Sequence, residues 1–546
     1  MFILFFNSLS DTFMSTSKIN KIYLPIIFAL ILASGIFLGS KLNNNPRQNY
    51  SFLYNRNDNL SGVIDYIETR YVDSINRKEL EESAIPALLE KLDPHSVYIP
   101  AAEMKSINED MQGNFEGIGV VFNHLTDTAI IISVISGGPS DKVGILAGDR
   151  IIKVNDSLIA GQKLESDQVV GMLKGMRGTK VKVSVLRKNI SGLIDFEIIR
   201  DKIPLYSVDV SFMVNNETGY IKINRFAQTT YEEFIQGVEK LKSQNLKKLI
   251  VDLRGNTGGY INAAANIADQ FLEDGKMIVY TQGKSSPRSE IYSSSRGVCE
   301  DVEVVILQDE WSASASEILA GAIQDNDRGK IIGRRSFGKG LVQEEYPLSD
   351  GAVIRLTIAR YYTPTGRSIQ KPYNSNHEEY FNDLNNRYEH GEFEQVDSIH
   401  FSDSLKYKTP GGNIVYGGGG IMPDIFVPFD TSGFSKYFAL VVNKRLTYDF
   451  AFDYSDKNRD KLSTYKTAEE INDYLEAQNI FNQFVKYAEL KGVPKSTNGF
   501  ENSTKIINTQ IKAYIARNII DNDGFYPIIM EVDNTFNKAM EFLNQN

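Results

Sequence analysis

The sequence has one cysteine, five histidines and one tryptophan among 546 residues. A lone thiol, Cys299, forms no internal disulfide and excludes thiolate zinc sites and iron–sulfur clusters. Five histidines leave little room for a histidine-rich metal site, so no metal or other cofactor is expected. His377, His390 and His400 are spaced 13 and 10 apart, which fits no metal-ligand pattern. With His124 they read as surface residues, leaving His95 as the one histidine placed to serve as a base. Basic residues are the minority, 59 against 69 acidic, for a net charge of −10. A whole-protein nucleic-acid binder shows a basic excess, so nucleic acid is not an expected partner. Wholesale disorder is excluded by 42% hydrophobic and 11% aromatic residues. At ~150 residues per domain the length fits three to four domains.

Long apolar runs are scarce as well. One stands out, from Ile22 to Gly39, preceded by Lys18 and Lys21. Its 18 residues lie near the lower limit for crossing a bilayer, and basic residues ahead of it favour a cytoplasmic N-terminus. The small-residue cleavage pattern is missing at its end and no cysteine follows. A signal anchor is therefore expected over 22–39, with a cleaved signal peptide as the rival. Residues 1–21 would be cytoplasmic, and translation could start at Met14 rather than Met1. Localisation is read as single-pass in the inner membrane, with everything after the anchor in the periplasm or another extracytoplasmic space.

Residues 40–57 read as a polar linker, and 58–104 as an N-terminal helical region whose apolar residues recur at helical spacing until Pro94. Residues 105–202 hold short β-rich runs (Gly119 to Phe122, Ala129 to Val134, Arg150 to Val154, Lys180 to Leu186) and two short helix candidates. From 203 to 430 strands and helices alternate, which argues for an α/β core. Within it, 374–412 carries eight acidic against three basic residues and reads as an inserted loop or hairpin. Residues 431–546 show amphipathic helical patterns.

Four segments could carry chemistry. Trp311-Ser312-Ala313-Ser314-Ala315-Ser316-Glu317-Ile318 lies between a buried strand and an apolar helix. A serine at such a turn is exposed beside the free N–H groups of a helix start; taken alone, a serine-rich helix cap explains it equally. In Phe337-Gly338-Lys339-Gly340 a lysine is flanked by two glycines. It can act as a base only if burial lowers its pKa, and Gln343 could orient its amine; otherwise it is a solvated turn lysine. Asp252-Leu253-Arg254-Gly255-Asn256-Thr257-Gly258-Gly259 ends a strand in a glycine-rich loop that can offer amides to an anion, or simply turn the chain. No Gly-Lys-Ser/Thr follows, so a phosphate loop is unsupported. Gly113-Asn114-Phe115-Glu116-Gly117-Ile118-Gly119-Val120 opens the β-rich region; free amides there could bind a peptide's terminal carboxylate while the strand edge pairs with the peptide. A bulged first strand is the plainer reading.

Together and in this order, these segments resemble the C-terminal processing peptidases, or tail-specific proteases. The likeness covers roughly residues 58 to 430. It also takes in Leu-Asp-Pro-His-Ser at 92–96, Gly148-Asp149-Arg150-Ile151 and Gly420-Ile421-Met422-Pro423-Asp424. The resemblance implies a crotonase-like α/β serine-peptidase core with an inserted PDZ domain, flanked by helical N- and C-terminal regions. It implies a serine endopeptidase that cleaves extracytoplasmic proteins near their C-termini. The family's serine lies 25 residues before its lysine, which points to Ser314 as nucleophile, Lys339 as base and Gln343 as its support. The oxyanion hole would use the amide of Ala315 and a glycine of the 258–259 pair, with Gly258 preferred. The PDZ domain would recognise apolar substrate C-termini through Gly117, Ile118, Gly119 and Val120. A homo-oligomer or an activating adaptor is a further partner to expect. Trp311 departs from the family pattern and would narrow the approach to Ser314. The alternatives are a peptide-binding scaffold with an inactive core and a hydrolase pairing Ser314 with His95.

Overall fold

A computed structural model describes residues 29–35, 59–123, 128–373, 377–399 and 402–545. His124 and His400 lie outside the described residues, as does most of the 22–39 run. Of that run, 29–35 form one exposed helical stretch. Among the described residues no helix is long and apolar enough to cross a membrane. The expected single-pass inner-membrane anchor, and the periplasmic placement that depended on it, are therefore withdrawn.

The chain divides into two compact units, residues 1–84 and 85–546. In the first, the helix Asn59–Arg70 is fastened by Arg77, which pairs with Asp65 at 2.6 Å and Glu68 at 3.1 Å. Among the described residues the second unit contains five sheets, two of them two-stranded, and a helical region.

A six-stranded antiparallel sheet occupies the β-rich segment. Its order is Val120–Asn123, Ala129–Val134, Arg150–Val154, Lys180–Leu186, Leu193–Ile199, with Ser157–Leu158 paired to the third strand. Alternate β-branched residues (Ile131, Ile151, Val181, Val183, Val185) face one apolar core against the helix Ser166–Leu173. Val120–Asn123 is an edge strand. A two-stranded stem, Asn114–Gly117 with Asp201–Pro204, joins this domain to the rest.

The central sheet runs Val208–Met213, Thr218–Ile223, Lys248–Asp252, Glu303–Gln308, Gly329–Gly333, Ile425–Phe426. The first pair is antiparallel and every later pair parallel. Its inner strands are apolar on both faces, as parallel strands covered by helices must be. Leu249 and Val251 point into a core with the helices Thr230–Lys242, Ile261–Asp269 and Ala315–Asp325. Ile250, Val305, Leu307 and Ile332 point to the opposite face, where the last helix, Asn534–Gln545, covers them with Phe536, Ala539 and Leu543. The helical C-terminal region thus closes the central sheet with its last element. Its other helices, from Lys436–Asn443 to Phe500–Ile520, share a core of their own.

A second sheet combines Val97–Ile99, Val353–Tyr362, Met277–Gln282 and Ser289–Tyr292, with Leu341–Pro347 also paired to Val353–Tyr362. The acidic segment forms more than a loop: a helix, His377–Glu389, and the hairpin Lys406–Lys408 with Ile414–Tyr416.

Candidate active site

Three serines compete at the start of the helix Ala315–Asp325. Ser312 is buried and its hydroxyl donates to the Leu253 carbonyl at 2.9 Å. Ser316 is buried and donates to the Asn256 carbonyl at 2.8 Å. Ser314 alone is half-buried, and it sits at φ 55°, ψ −113°. An ordinary capping serine has extended backbone angles. A non-glycine residue held at positive φ stores strain that the surrounding structure must overcome, and such residues cluster at functional sites.

Two buried side chains hold Ser314 in place. Glu317, three residues on, accepts the Ser314 N–H at 2.8 Å. The same carboxylate accepts Ser336 Oγ at 2.5 Å and the amides of Gly338 at 2.7 Å and Lys339 at 2.9 Å. One side chain thereby ties the serine turn to the lysine loop. Burial pushes the Glu317 carboxyl up to about 7, against the pull of these hydrogen bonds. The Tyr361 hydroxyl lies 3.0 Å from the Ser314 carbonyl and 2.6 Å from the Lys339 carbonyl, within donating reach of both.

The lysine loop leads into the strand Leu341–Pro347. Lys339 Nζ donates to Gln343 Oε1 at 3.1 Å, and Gln343 Nε2 donates to the His95 carbonyl. Burial, then the Arg355 cation, lower the lysine's pKa; Glu317 and Asp93 oppose them. A lowered pKa is what a lysine base requires. No hydrogen bond joins Ser314 Oγ to Lys339 Nζ in this conformation, and such contacts commonly tighten only with substrate bound.

The glycine-rich loop lies against the serine. Asn256 is buried; its carbonyl accepts the Ala313 N–H at 3.0 Å and its side chain accepts the Gly258 N–H at 2.9 Å. A Cβ on Gly258 would stand 2.7 Å from Ser314 Cβ and 2.8 Å from the Ala313 carbonyl oxygen. The Gly258 amide, preferred from the sequence, is therefore engaged. The amides of Gly259, next in the chain, and of Ala315, next to Ser314, carry no hydrogen bond among the described residues.

His95 does not meet Ser314. Its ring Nε2 lies 2.8 Å from Tyr380 Oη. Burial, with Lys339 next, pushes its pKa down to about 3. Trp311 is 53% exposed. In the β-rich domain, Gly117 pairs with Asp201, the Ile118 carbonyl accepts from Ser140, and Val120 begins the edge strand. The N–H groups of Ile118 and Gly119, the latter at φ 74°, carry no hydrogen bond among the described residues.

Glu317, Tyr361 and Tyr380 were given no role from the sequence. Glu317 was legible, since Ser-x-x-Glu ahead of an apolar run is a capping signature. The two tyrosines carried no local signal.

Family models agree with this division. Peptidase family S41 matches residues 217–377, the PDZ domain matches 117–198, and a family of unknown function, DUF8443, matches 437–521. A carboxy-terminal-processing protease of Bartonella bacilliformis is 33% identical over 357 residues, 64% of this chain and 80% of that protein. The carboxy-terminal processing protease CtpA of Bacillus subtilis is 31% identical over 354 residues, 64% of this chain and 75% of that protein. A solved photosystem II D1 C-terminal processing protease is 22% identical, covering 67% of this chain and 92% of that one, at a TM-score of 0.35 too low to argue from.

Proposed function

Because the chain belongs to the carboxy-terminal processing proteases of peptidase family S41 and carries a PDZ domain, we propose that it cleaves polypeptides near their C-termini with a Ser314–Lys339 dyad. The observation that carries this reading is Ser314, held at positive φ beside the unengaged amide of Ala315 and against the Gly258 loop, with a half-buried lysine supplied by the adjoining loop. In that reading the α/β core is crotonase-like.

Ser314 Oγ attacks the carbonyl carbon of the scissile bond and its proton passes to the neutral Lys339 amine. The carbonyl oxygen gains the negative charge and is stabilised by the N–H groups of Ala315 and Gly259. Gly259 takes the role that the sequence favoured for Gly258. Collapse of the tetrahedral intermediate breaks the C–N bond, and Lys339 returns the proton to the leaving amine. Water, deprotonated by the same lysine, then hydrolyses the acyl-enzyme. Gln343 keeps the lysine aimed by accepting a hydrogen bond from its amine.

The PDZ domain supplies selection. A peptide adds to the edge strand Val120–Asn123 and its terminal carboxylate meets the amides of Ile118 and Gly119. Val120 and Phe122 on that strand, half-buried against the apolar core, favour an apolar last residue.

Intact-mass detection of the adduct with a peptide boronate tests the dyad. The adduct is expected on the wild type and absent from Ser314→Ala; an adduct of equal yield on Ser314→Ala refutes the assignment.

A further inference from the structure

The acidic insertion is fastened to the lysine loop at three points. Arg387, on the helix His377–Glu389, donates to the Ser336 carbonyl at 3.1 Å and the Arg335 carbonyl at 2.7 Å. Glu392 bridges Arg335 and Arg387 at 2.7 Å and 2.8 Å. Lys371 lies between the rings of Phe337 (4.0 Å) and Tyr380 (4.2 Å) and pairs with Asp383 at 3.0 Å. An exposed acidic loop would show none of this. Asp383, Arg387 and Glu392 are instead engaged in buried or half-buried ion pairs, and Glu392–Arg335 reaches the loop that carries Lys339.

This anchoring delivers Tyr380. Its side chain is buried, and its hydroxyl meets His95 Nε2 at 2.8 Å. Tyr380 remains protonated, because burial raises its pKa, and His95 remains neutral. The two neutral groups share one hydrogen bond, whose donor is set by the His95 tautomer. His95 belongs to a turn organised by Asp93, which accepts the His95 amide at 2.9 Å and Ser96 Oγ at 2.5 Å. The turn's carbonyl, that of His95, accepts Gln343 Nε2, and Gln343 Oε1 accepts Lys339 Nζ. A continuous path of four groups runs from the insertion to the lysine amine. The peptidase-family match ends at residue 377, before Tyr380.

We propose that Tyr380 is a positioning residue for the peptidase: through His95 and Gln343 it fixes where the Lys339 amine points and keeps water from it. This inference rests on the Ser314–Lys339 reading. Without the hydroxyl, His95 Nε2 loses its partner, the 93–96 turn loosens and Gln343 loses a fixed acceptor. The lysine becomes better hydrated, and the burial that lowers its pKa weakens. The lysine's charged neighbours are Arg355, Glu317 and Asp93, and His95 also faces Lys371 and His377; the substitution removes none of them.

The test uses the full chain as wild type, Tyr380→Phe, His95→Phe and the double variant. Two readouts are taken: kcat and KM on a peptide substrate across pH, and competitive acetylation of Lys339 by acetic anhydride across pH, read by peptide mass spectrometry. Each single substitution is expected to lower kcat about five- to tenfold at unchanged KM, the scale of one lost hydrogen bond. The double variant should be no worse than the singles, because both break one contact. The Lys339 acetylation midpoint should move upward in all three. Multiplying effects, an unmoved midpoint, or wild-type kcat in Tyr380→Phe overturns the inference. A far deeper loss in His95→Phe than in Tyr380→Phe also overturns it, by making His95 the base. The acetylation readout needs no substrate. A wild type without cleavage but with the Tyr380-dependent midpoint shift would sink the peptidase reading while leaving the coupling of Tyr380 to the Lys339 amine in place; cleavage with an unmoved midpoint would sink the inference alone.

Discussion

Replacing Gly258 by alanine puts the proposed geometry under direct strain. The new methyl would lie 2.7 Å from Ser314 Cβ, 2.8 Å from the Ala313 carbonyl oxygen and 3.0 Å from the Ala315 nitrogen, where ordinary contact begins at 3.4 Å. Two of the three neighbours are backbone, so relief requires the serine turn and the glycine loop to part by about 0.7 Å, the 3.4 Å limit less 2.7 Å. The residue also sits at φ 102°, which costs an L-amino acid about 1–2 kcal/mol. Overpacking adds about 1–3 kcal/mol. Misplacement of a reacting group by nearly 1 Å costs about a hundredfold in rate. Gly258→Ala is therefore expected to lose about 2–5 kcal/mol of stability in urea unfolding and about a hundredfold in kcat on an unstructured polypeptide. Gly275→Ala is the control: its φ is 76° but open space surrounds it, so backbone strain alone should act there, with kcat retained. A Gly258→Ala protein that folds and turns over at the wild-type rate would refute the placement of this loop at the reacting atoms.

Three further outcomes are expected. Lys339→Met should lose about 10²–10⁴ in kcat, the range for a general base. Since Lys339 titrates below an unfolded lysine, the folded chain binds fewer protons between those two values. The stability gained in Lys339→Met should then be largest at acidic pH and fade towards pH ~10.4, measured by urea unfolding across pH. In Glu317→Gln an amide NH₂ replaces an acceptor of two backbone donors, and kcat should fall at least about tenfold. The Glu317 carboxyl is pushed up to about 7 from 4.5, so its contribution to stability is full below the lower value and is lost as pH rises through the upper. The wild type should accordingly lose ground to Glu317→Gln between those values, as unfolding at pH ~4.5 and pH ~8 would report. Leu543→Ala, in the helix that covers the far side of the central sheet, should cost about 2–4 kcal/mol in the same assay with kcat unchanged.

Much of the core was legible because its strands are short runs of β-branched residues bounded by turns. Ala129–Val134, Arg150–Val154 and Lys180–Leu186 have the limits that the sequence implied. Leu341–Pro347 was missed because Glu344, Glu345 and Tyr346 are exposed and no apolar run marks it. The last helix was legible as a helix but not as part of the peptidase core. Phe536, Ala539 and Leu543 form the same stripe whether they meet another helix or a sheet. At the site, Ser314, Lys339 and Gln343 stood in short motifs, so their neighbourhood could be read. Gly258 and Gly259 could not be told apart, because the choice depends on where the Asn256 side chain turns. Tyr361 and Tyr380 reach the site only through folding, from a strand and from an insertion distant in sequence. The expected membrane anchor failed for a different reason: an apolar run of marginal length was read as a spanning helix, and the described residues contain none.

The central claim is that Ser314 and Lys339 act together in peptide-bond cleavage. The most direct measurement is mass spectrometry of an unstructured polypeptide with an apolar C-terminus after incubation with the wild type, Ser314→Ala and Lys339→Ala. The account predicts cleavage near the C-terminus by the wild type and none by either variant. Cleavage at the same bonds by purified Ser314→Ala would contradict it.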